Sequence, residues 1–257
     1  MVNMRLKLYL VITFLFVCTF TYHTNFRNTY TFIEQFQKIL PDNAMQITHS
    51  IHTHANSNEV MHAYYSYPQF LPTMKHSEKL NNFYLKKLSQ DYNSINILRE
   101  TAINSPLSGN LVYAYDHTFE ITYHSDNLIS ILENTYEYAG GTHPDNYLEA
   151  NTFSLQTGEV LTLGDLFHSS KPEIEKKIKN YIIEEINLNP EDYYPDAPET
   201  ISSLSLDSFH YHLKNGALII FFNPYEIAPY PRGVVEFTFP ITSSWLSSLP
   251  SDSSIRN

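Results

Sequence analysis

The sequence predicts an α+β fold in which two principal helices pack on a mainly antiparallel β-sheet. Over Leu111–Tyr123, a set of mainly aromatic residues alternates with a largely polar set, as in a strand with one buried face. Isoleucines recur at helical spacing over Lys171–Asn187, as in a helix with one buried stripe. Short turns rich in glycine, asparagine or proline join the other strand-like runs, which favours antiparallel neighbours.

The N-terminus has the features of an export signal. Arg5 and Lys7 precede an uncharged apolar run from Leu8 to Tyr22, which is short for a transmembrane helix. No small-residue cleavage motif follows, so residues 1–24 are predicted to be either a signal peptide or an uncleaved signal anchor. Cys18, the only cysteine, leaves lipidation as a third alternative. The rest of the chain is expected to be periplasmic, extracellular or anchored to the outer face of the inner membrane.

The first half of the chain is predicted to contain a strand pair and a long helix. A short helix or stalk at Phe26–Leu40 comes first. Met45–His54 and Glu59–Tyr67 then have strand composition, and Pro68 is expected to end the second strand. Lys75–Ile97 has apolar residues at three- and four-residue steps, which predicts a helix.

A glycine-rich turn separates the next two strands. Ser130–Tyr138 and Tyr147–Leu155 are strand-like runs joined through Gly140, Gly141 and Pro144. Glycine adopts backbone angles that a Cβ forbids, and proline fixes its own φ and restricts the residue before it. We therefore predict that this turn is structural and that at least one of the two glycines has a positive φ.

The second predicted helix leads into a loop and a hairpin. Leu188–Thr200 is rich in proline and acids and is expected to be a surface loop. Ser208–Leu213 and Ala217–Phe222 flank an Asn-Gly step, which is a strong hairpin signal. Gly233–Phe239 alternates as a last strand, and a polar tail at 243–257 ends the chain.

The charge balance restricts the kinds of partner. The chain has 27 acidic and 16 basic residues, giving a formal net charge of −11. Neither nucleic acid nor an anionic membrane surface is expected as a partner, because phosphates need a basic surface, whereas a cationic partner is favoured. The chain also has 20 tyrosines and 16 phenylalanines. Some of the tyrosines are expected at the surface, where they suit recognition of proteins or glycans.

No catalytic, cofactor or phosphate-binding motif is recognisable, so neither a catalytic residue nor a cofactor is predicted. His49, His52 and His54 are the best metal candidates, but exposed strand histidines are the favoured interpretation and no metal is expected.

Two further groups have alternative interpretations. His143 and Asp145 have the chemistry of a general acid–base pair, although the intervening proline favours a turn role. Glu133 and Glu137 lie on one face of a strand, either as paired carboxylates or, the favoured interpretation, as part of a solvated face.

Four sequence blocks resemble one known family. They are SYPQF at Ser66–Phe70, YAGGTHP at Tyr138–Pro144, FSLQTGEVLTLGDLF at Phe153–Phe167 and IIFFNPYEIAPYPRG at Ile219–Gly233. The blocks are similar to the RsiV-like/PdaC-like extracellular domain family over roughly Met45 to Phe239. The resemblance implies a PdaC-like N-terminal region at 25–110, with the strand pair and helix, and an RsiV-like C-terminal α+β region at 111–242.

Members of that family form the lysozyme-binding receptor part of a membrane anti-sigma factor or the N-terminal half of a peptidoglycan deacetylase. Only Met1–Lys7 precede the apolar run here, and the deacetylase motif Thr-Phe-Asp-Asp-Gly is absent. The resemblance therefore implies the binding module without either effector. Its ligand would be a lysozyme-like protein or a cell-wall glycan. A peptidoglycan-modifying enzyme related to the deacetylase, or its accessory subunit, remains the alternative.

The expected ligand-binding surface is built from two turns, because loops on a rigid sheet commonly carry recognition. The first turn supplies Thr142, His143 and Asp145. The second, Asn223–Tyr230, supplies Tyr225, Glu226 and Tyr230, whose aromatic rings are suitable anchors beside an acid.

Overall fold

The computed structural model describes residues 44–55, 58–167 and 170–240. The predicted signal or anchor at 1–24, the helix or stalk at 26–40 and the polar tail at 243–257 lie outside these ranges. No helix within the described ranges is long and apolar enough to cross a membrane.

The described residues contain three helices and nine strands, and the strands form two mostly antiparallel sheets. This architecture confirms the α+β prediction. The elements are β1 (Ala44–Ala55), β2 (Asn58–Phe70), α1 (Ser77–Asn104), β3 (Tyr113–His124), β4 (Leu128–Tyr138), β5 (Asp145–Ser154), β6 (Val160–Leu161), α2 (Lys171–Leu188), α3 (Ala197–Ser203), β7 (His210–Lys214), β8 (Ala217–Phe222) and β9 (Val235–Pro240).

Six strands form sheet A in the order β1-β2-β3-β4-β5-β6, and only β2 and β3 pair in parallel. Helix α1 provides the crossover between those two strands, as a parallel connection requires. The helix covers one face of sheet A, here called the inner face, where Leu80 and Tyr84 pack on Phe119, Ile131 and neighbouring apolar residues. The opposite face of sheet A is called the outer face.

Two elements, α1 and β2, continue beyond their predicted C-terminal ends. Helix α1 starts at Ser77 and continues to Asn104, seven residues beyond Ile97, because its last two turns bury Leu98 and Ala102. Strand β2 continues through Pro68 to Phe70. Pro68 lies beyond Tyr65, the last residue of β2 that pairs with β3, so its missing N–H removes no hydrogen bond to that neighbour.

Sheet B has the order β7-β8-β9, and its hairpin turns at the predicted Asn-Gly step. One face of sheet B packs on the isoleucine stripe of α2, which is Ile174, Ile178, Ile182 and Ile186. The segment predicted as a loop at 188–200 contains a 3-10 turn and the start of α3, because Ala197 and Ile201 also join this core.

A bulge connects sheet A to the same core. The alternation of β3 is observed as predicted up to Ile121, which is buried on the inner face. The register shifts between Ile121 and Tyr123, so Tyr123 pairs with Ser130 and joins the core of sheet B instead. The hydroxyl of Ser130 also accepts the backbone N–H of Leu213, which ties β7 to sheet A.

Candidate functional site

The glycine turn brings the first predicted segment to the end of sheet A. Gly140 and Gly141 have φ values of 87° and 105°, which confirms the predicted positive φ. The hydroxyl of Tyr138 donates a hydrogen bond to the carbonyl of Gly141 at 3.1 Å. This turn presents Thr142 and His143, both exposed, immediately before β5 begins at Asp145.

A single asparagine attaches the second predicted segment to β5. The Asn223 Oδ1 accepts the backbone N–H of Leu148 at 2.7 Å, and its Nδ2 donates to the Leu148 carbonyl at 3.0 Å. The side chain therefore pairs with the edge of β5 as the backbone of a neighbouring strand would. Glu226 completes the turn, since its Oε2 accepts the N–H of Asn223 at 2.7 Å.

The two segments meet in one aromatic cluster. The His143 ring stacks on Tyr230 with ring centroids 3.9 Å apart, and its Nε2 lies 3.2 Å from the Tyr225 hydroxyl. Tyr230 donates its hydroxyl to the Pro144 carbonyl at 2.7 Å. Tyr225 is 54% exposed and has a positive φ of 71°, an unusual angle for tyrosine that the turn imposes. His143, Tyr225 and Tyr230 are called the aromatic cluster below.

Acidic residues flank the aromatic cluster. Asp145 pairs with Glu137 across β4 and β5, so two carboxylates project from directly opposite positions. Burial and the facing Asp145 both raise the pKa of Glu137. Glu226 lies 3.6 Å from His210 and raises the pKa of that histidine. The structure thus brings five predicted site residues, His143, Asp145, Tyr225, Glu226 and Tyr230, to one region, with Thr142 exposed in the adjoining turn.

The prediction that Glu133 lies on a solvated face is wrong, because α1 covers this residue. It is 1% exposed, and its Oε2 lies 2.9 Å from Lys87 Nζ and 3.3 Å from His117 Nε2. Its Oε1 accepts Asn151 Nδ2 at 3.1 Å. Burial alone would raise the pKa of Glu133, but His117 and Lys87 outweigh burial and hold that pKa below its usual value.

The Lys87 side chain also forms an ion pair with β5, near the edge of sheet A. Lys87 Nζ lies 2.8 Å from Glu149, which is directly opposite Glu133 across β4 and β5. One helix turn further, Asp91 accepts hydrogen bonds from the hydroxyls of Tyr65 at 2.6 Å and Tyr115 at 3.1 Å. Each of these groups contacts a protein partner, so the cluster links α1 to sheet A.

The histidines of β1 are exposed. His52 Nδ1 lies 2.6 Å from Glu59 Oε1, and His49 stacks on Tyr67 with centroids 6.0 Å apart. Across the described ranges, no group of three or more histidine, cysteine or acidic residues has a geometry that could hold a metal ion.

Two protein families match consecutive parts of the chain. Residues 54–146 match the family described as deacetylase PdaC, and residues 164–242 match a family described as a protein of unknown function, DUF3298. The first match spans β2 to the start of β5, and the second spans α2 and sheet B. A search of curated proteins gives no match.

Two crystal structures of DUF3298 family proteins have a similar fold. The protein from Bacteroides fragilis NCTC 9343 has a TM-score of 0.57 and 18% identity, covering 83% of this chain and 95% of that chain. The protein from Pseudomonas aeruginosa PAO1 has a TM-score of 0.56 and 16% identity, covering 80% and 92% respectively. At these sequence identities, the similarity shows a shared fold but does not identify any functional residue of this chain.

Proposed function

We propose that the chain is a non-enzymatic binding module of the bacterial cell envelope, and that the aromatic cluster is the centre of its recognition surface. The contact of His143 with Tyr225 and Tyr230, from segments about eighty residues apart, carries this proposal. Rigid, partly exposed aromatic side chains are effective anchors in interfaces because little conformational entropy is lost on binding. The match to the PdaC and DUF3298 families and the predicted export signal support an envelope location.

The favoured partner is a cationic protein, such as a lysozyme-like hydrolase. Two pairs of carboxylates face each other across β4 and β5. Lys87 forms ion pairs with both Glu133 and Glu149, whereas no described residue forms an ion pair with Glu137 or Asp145. The second pair lies beside the aromatic cluster, so a lysine or arginine of a partner would relieve its repulsion there.

The test uses the full-length protein and purified lysozyme in isothermal titration calorimetry. Replacing Tyr225 or Tyr230 by alanine should weaken binding about tenfold, equivalent to about 1.4 kcal/mol, because each change removes an aromatic anchor. Tyr92→Ala is the matched control, since Tyr92 is 46% exposed on α1 and belongs to neither turn of the cluster. Circular dichroism should show that every variant stays folded.

Two results would contradict the proposal. If folded Tyr225→Ala and Tyr230→Ala proteins bind lysozyme with wild-type affinity, the aromatic cluster is not the recognition surface. If the purified protein turns over peptidoglycan fragments, the alternative of a cell-wall-modifying enzyme replaces the binding module.

A further inference from the structure

A row of polar and aromatic residues crosses the outer face of sheet A. Tyr64 on β2 is directly opposite Asp116 on β3, which is directly opposite Tyr136 on β4. Ser50 and Asn146 extend the row at its two ends. Directly opposite residues project from the same face, and α1 contacts the other face through Tyr65 and Tyr115, whose positions have the opposite parity to the row.

The contact of β7 with sheet A lies away from this row, whereas Tyr230, in the loop between β8 and β9, lies near Tyr136 at one end of it. The contact between Leu213 of β7 and sheet A is made at Ser130, six residues and about 20 Å along β4 from Tyr136. The side chains of Tyr64, Asp116 and Tyr136 are all partly exposed. No aromatic ring of the described residues stacks on Tyr64 or Tyr136.

The carboxylate in the centre of the row has no lysine or arginine partner among the described residues, and its nearest basic neighbour is His62 on β2. Asp116 forms no ion pair within the described ranges. Burial raises the pKa of Asp116, and the lowering effects of nearby His62 and of the Tyr64 backbone N–H do not cancel it. A positively charged group placed between the two tyrosines would therefore be stabilised.

The spacing of the two rings suits a sugar chain. Tyr64 and Tyr136 are two strand positions apart, about 9.6 Å. Successive units of a β-1,4-linked pyranose chain alternate in orientation, so every second ring presents the same face at a comparable interval. The axial C–H groups of such a face are slightly positive and pack well on the negative face of an aromatic ring.

We propose that the row Tyr64–Asp116–Tyr136 binds a β-1,4-linked hexosamine chain that carries free amino groups. The two tyrosines support alternate sugar rings, and Asp116 pairs with the ammonium group of the sugar between them. This site goes beyond the proposed function, because it lies on the outer face of sheet A and does not require the lysozyme-like partner of the aromatic cluster.

The test is titration of the full-length protein with two oligosaccharides, the glucosamine hexasaccharide and its fully N-acetylated form. The free amine form should bind more tightly, by about tenfold or more. Tyr64→Ala should weaken its binding by about tenfold, whereas Tyr64→Phe, which keeps the ring, should stay within about twofold of wild type. Asp116→Asn should abolish the preference for the free amine.

Two control variants distinguish sugar binding at the row from general electrostatic attraction to an acidic protein. Glu184→Gln removes one exposed charge on α2, and Tyr92→Ala removes one exposed ring on α1, and both should bind the sugar as wild type does. Absence of sugar binding, equal affinity for the two oligosaccharides, or equal losses in Glu184→Gln and Asp116→Asn would each overturn the proposal. Lysozyme binding by Tyr64→Ala, measured in parallel, shows whether the proposed function stands independently.

Discussion

Gly158 and Gly216 have almost the same backbone angle but very different surroundings. Their φ values are 73° and 75°. A Cβ added at Gly158 would lie 2.7 Å from His76 Cβ and 2.8 Å from Lys79 Cδ, whereas a Cβ at Gly216 would meet nothing within 4 Å. Gly158 is therefore required both for the turn after β5 and for the close approach of the first turn of α1 to it.

Alanine substitutions at these two glycines should separate the two requirements. Gly216→Ala should destabilise the protein by about 1–2 kcal/mol, because only the left-handed backbone is strained. Gly158→Ala should lose at least about 1 kcal/mol more, because His76 must also move. The free energy of unfolding in urea measures both effects. Equal losses would mean that α1 adjusts without cost and that the close contact is unimportant.

The candidate site could be predicted only in part at the residue scale. Sequence blocks identified the turns containing His143 and Tyr225, and the structure brings these residues into contact. The clamp formed by Asn223 was missed, because its partner is the backbone of Leu148, which no sequence pattern marks. Glu133 was misjudged, because alternation along β4 cannot reveal that Lys87, 46 residues earlier, covers it.

At the element scale, the charged cluster of Lys87, Glu133 and His117 determines how α1 sits on sheet A. Lys87→Ala should destabilise the protein by about 3–5 kcal/mol, because it leaves the buried Glu133 carboxylate with less compensation. Lys86→Ala is the matched control, since Lys86 is exposed on the same helix and should have little effect. Chemical denaturation at pH 7 measures the difference, and equal stability of the two variants would contradict this role.

The same cluster should make stability depend on acid. The pKa of Glu133 is lower in the folded protein than its ordinary value of 4.5, so the folded state holds this proton less tightly than the unfolded chain. The stabilisation is therefore complete above pH 4.5 and is lost as pH falls through the lower folded pKa. The stability difference between wild type and Lys87→Ala should accordingly shrink below pH 4.5. A difference that stays constant down to pH 3 would exclude this explanation.

The Asn223 clamp should hold the segment Asn223–Tyr230 on the edge of β5. Asn223→Asp removes the donor to the Leu148 carbonyl and places a carboxylate beside it, so the paired contact should open. Hydrogen exchange at the Leu148 amide should then become faster by about tenfold or more, and lysozyme binding should weaken. Asn215→Asp, in the hairpin turn of sheet B, is the control. Unchanged exchange at Leu148 would show that the loop is held by other contacts.

Elements with local signals were predicted well, and elements defined by distant partners were not. The alternation of β3, the isoleucine stripe of α2 and the Asn-Gly hairpin all depend on neighbouring residues and are present as predicted. The parallel pairing of β2 with β3 and the two extra turns of α1 depend on packing across the sheet. The bulge after Ile121 likewise follows from the core that Tyr123 joins.

At the scale of the whole molecule, the acidic excess should determine how a partner approaches. A net charge of −11 attracts a cationic protein over a distance comparable to the screening length, about 10 Å at 0.1 M salt. The unneutralised pair Glu137 and Asp145 places part of this charge beside the aromatic cluster. Long-range attraction and local anchoring should therefore act on different steps of binding, the first on association and the second on dissociation.

Association with lysozyme should consequently slow as salt increases. Raising the salt from about 0.05 M to about 0.3 M should lower the association rate constant about tenfold or more, with little change in dissociation. The double variant Glu137→Gln, Asp145→Asn should lose part of this salt dependence. A control double variant on α2, Glu184→Gln, Glu185→Gln, removes the same number of charges but should lose less of the salt dependence. Because the pKa of Glu137 is raised, binding should also begin to weaken above pH 4.5 as the solution is acidified. Surface plasmon resonance measures both rate constants, and a salt-independent association rate would show that the partner is not recognised through charge.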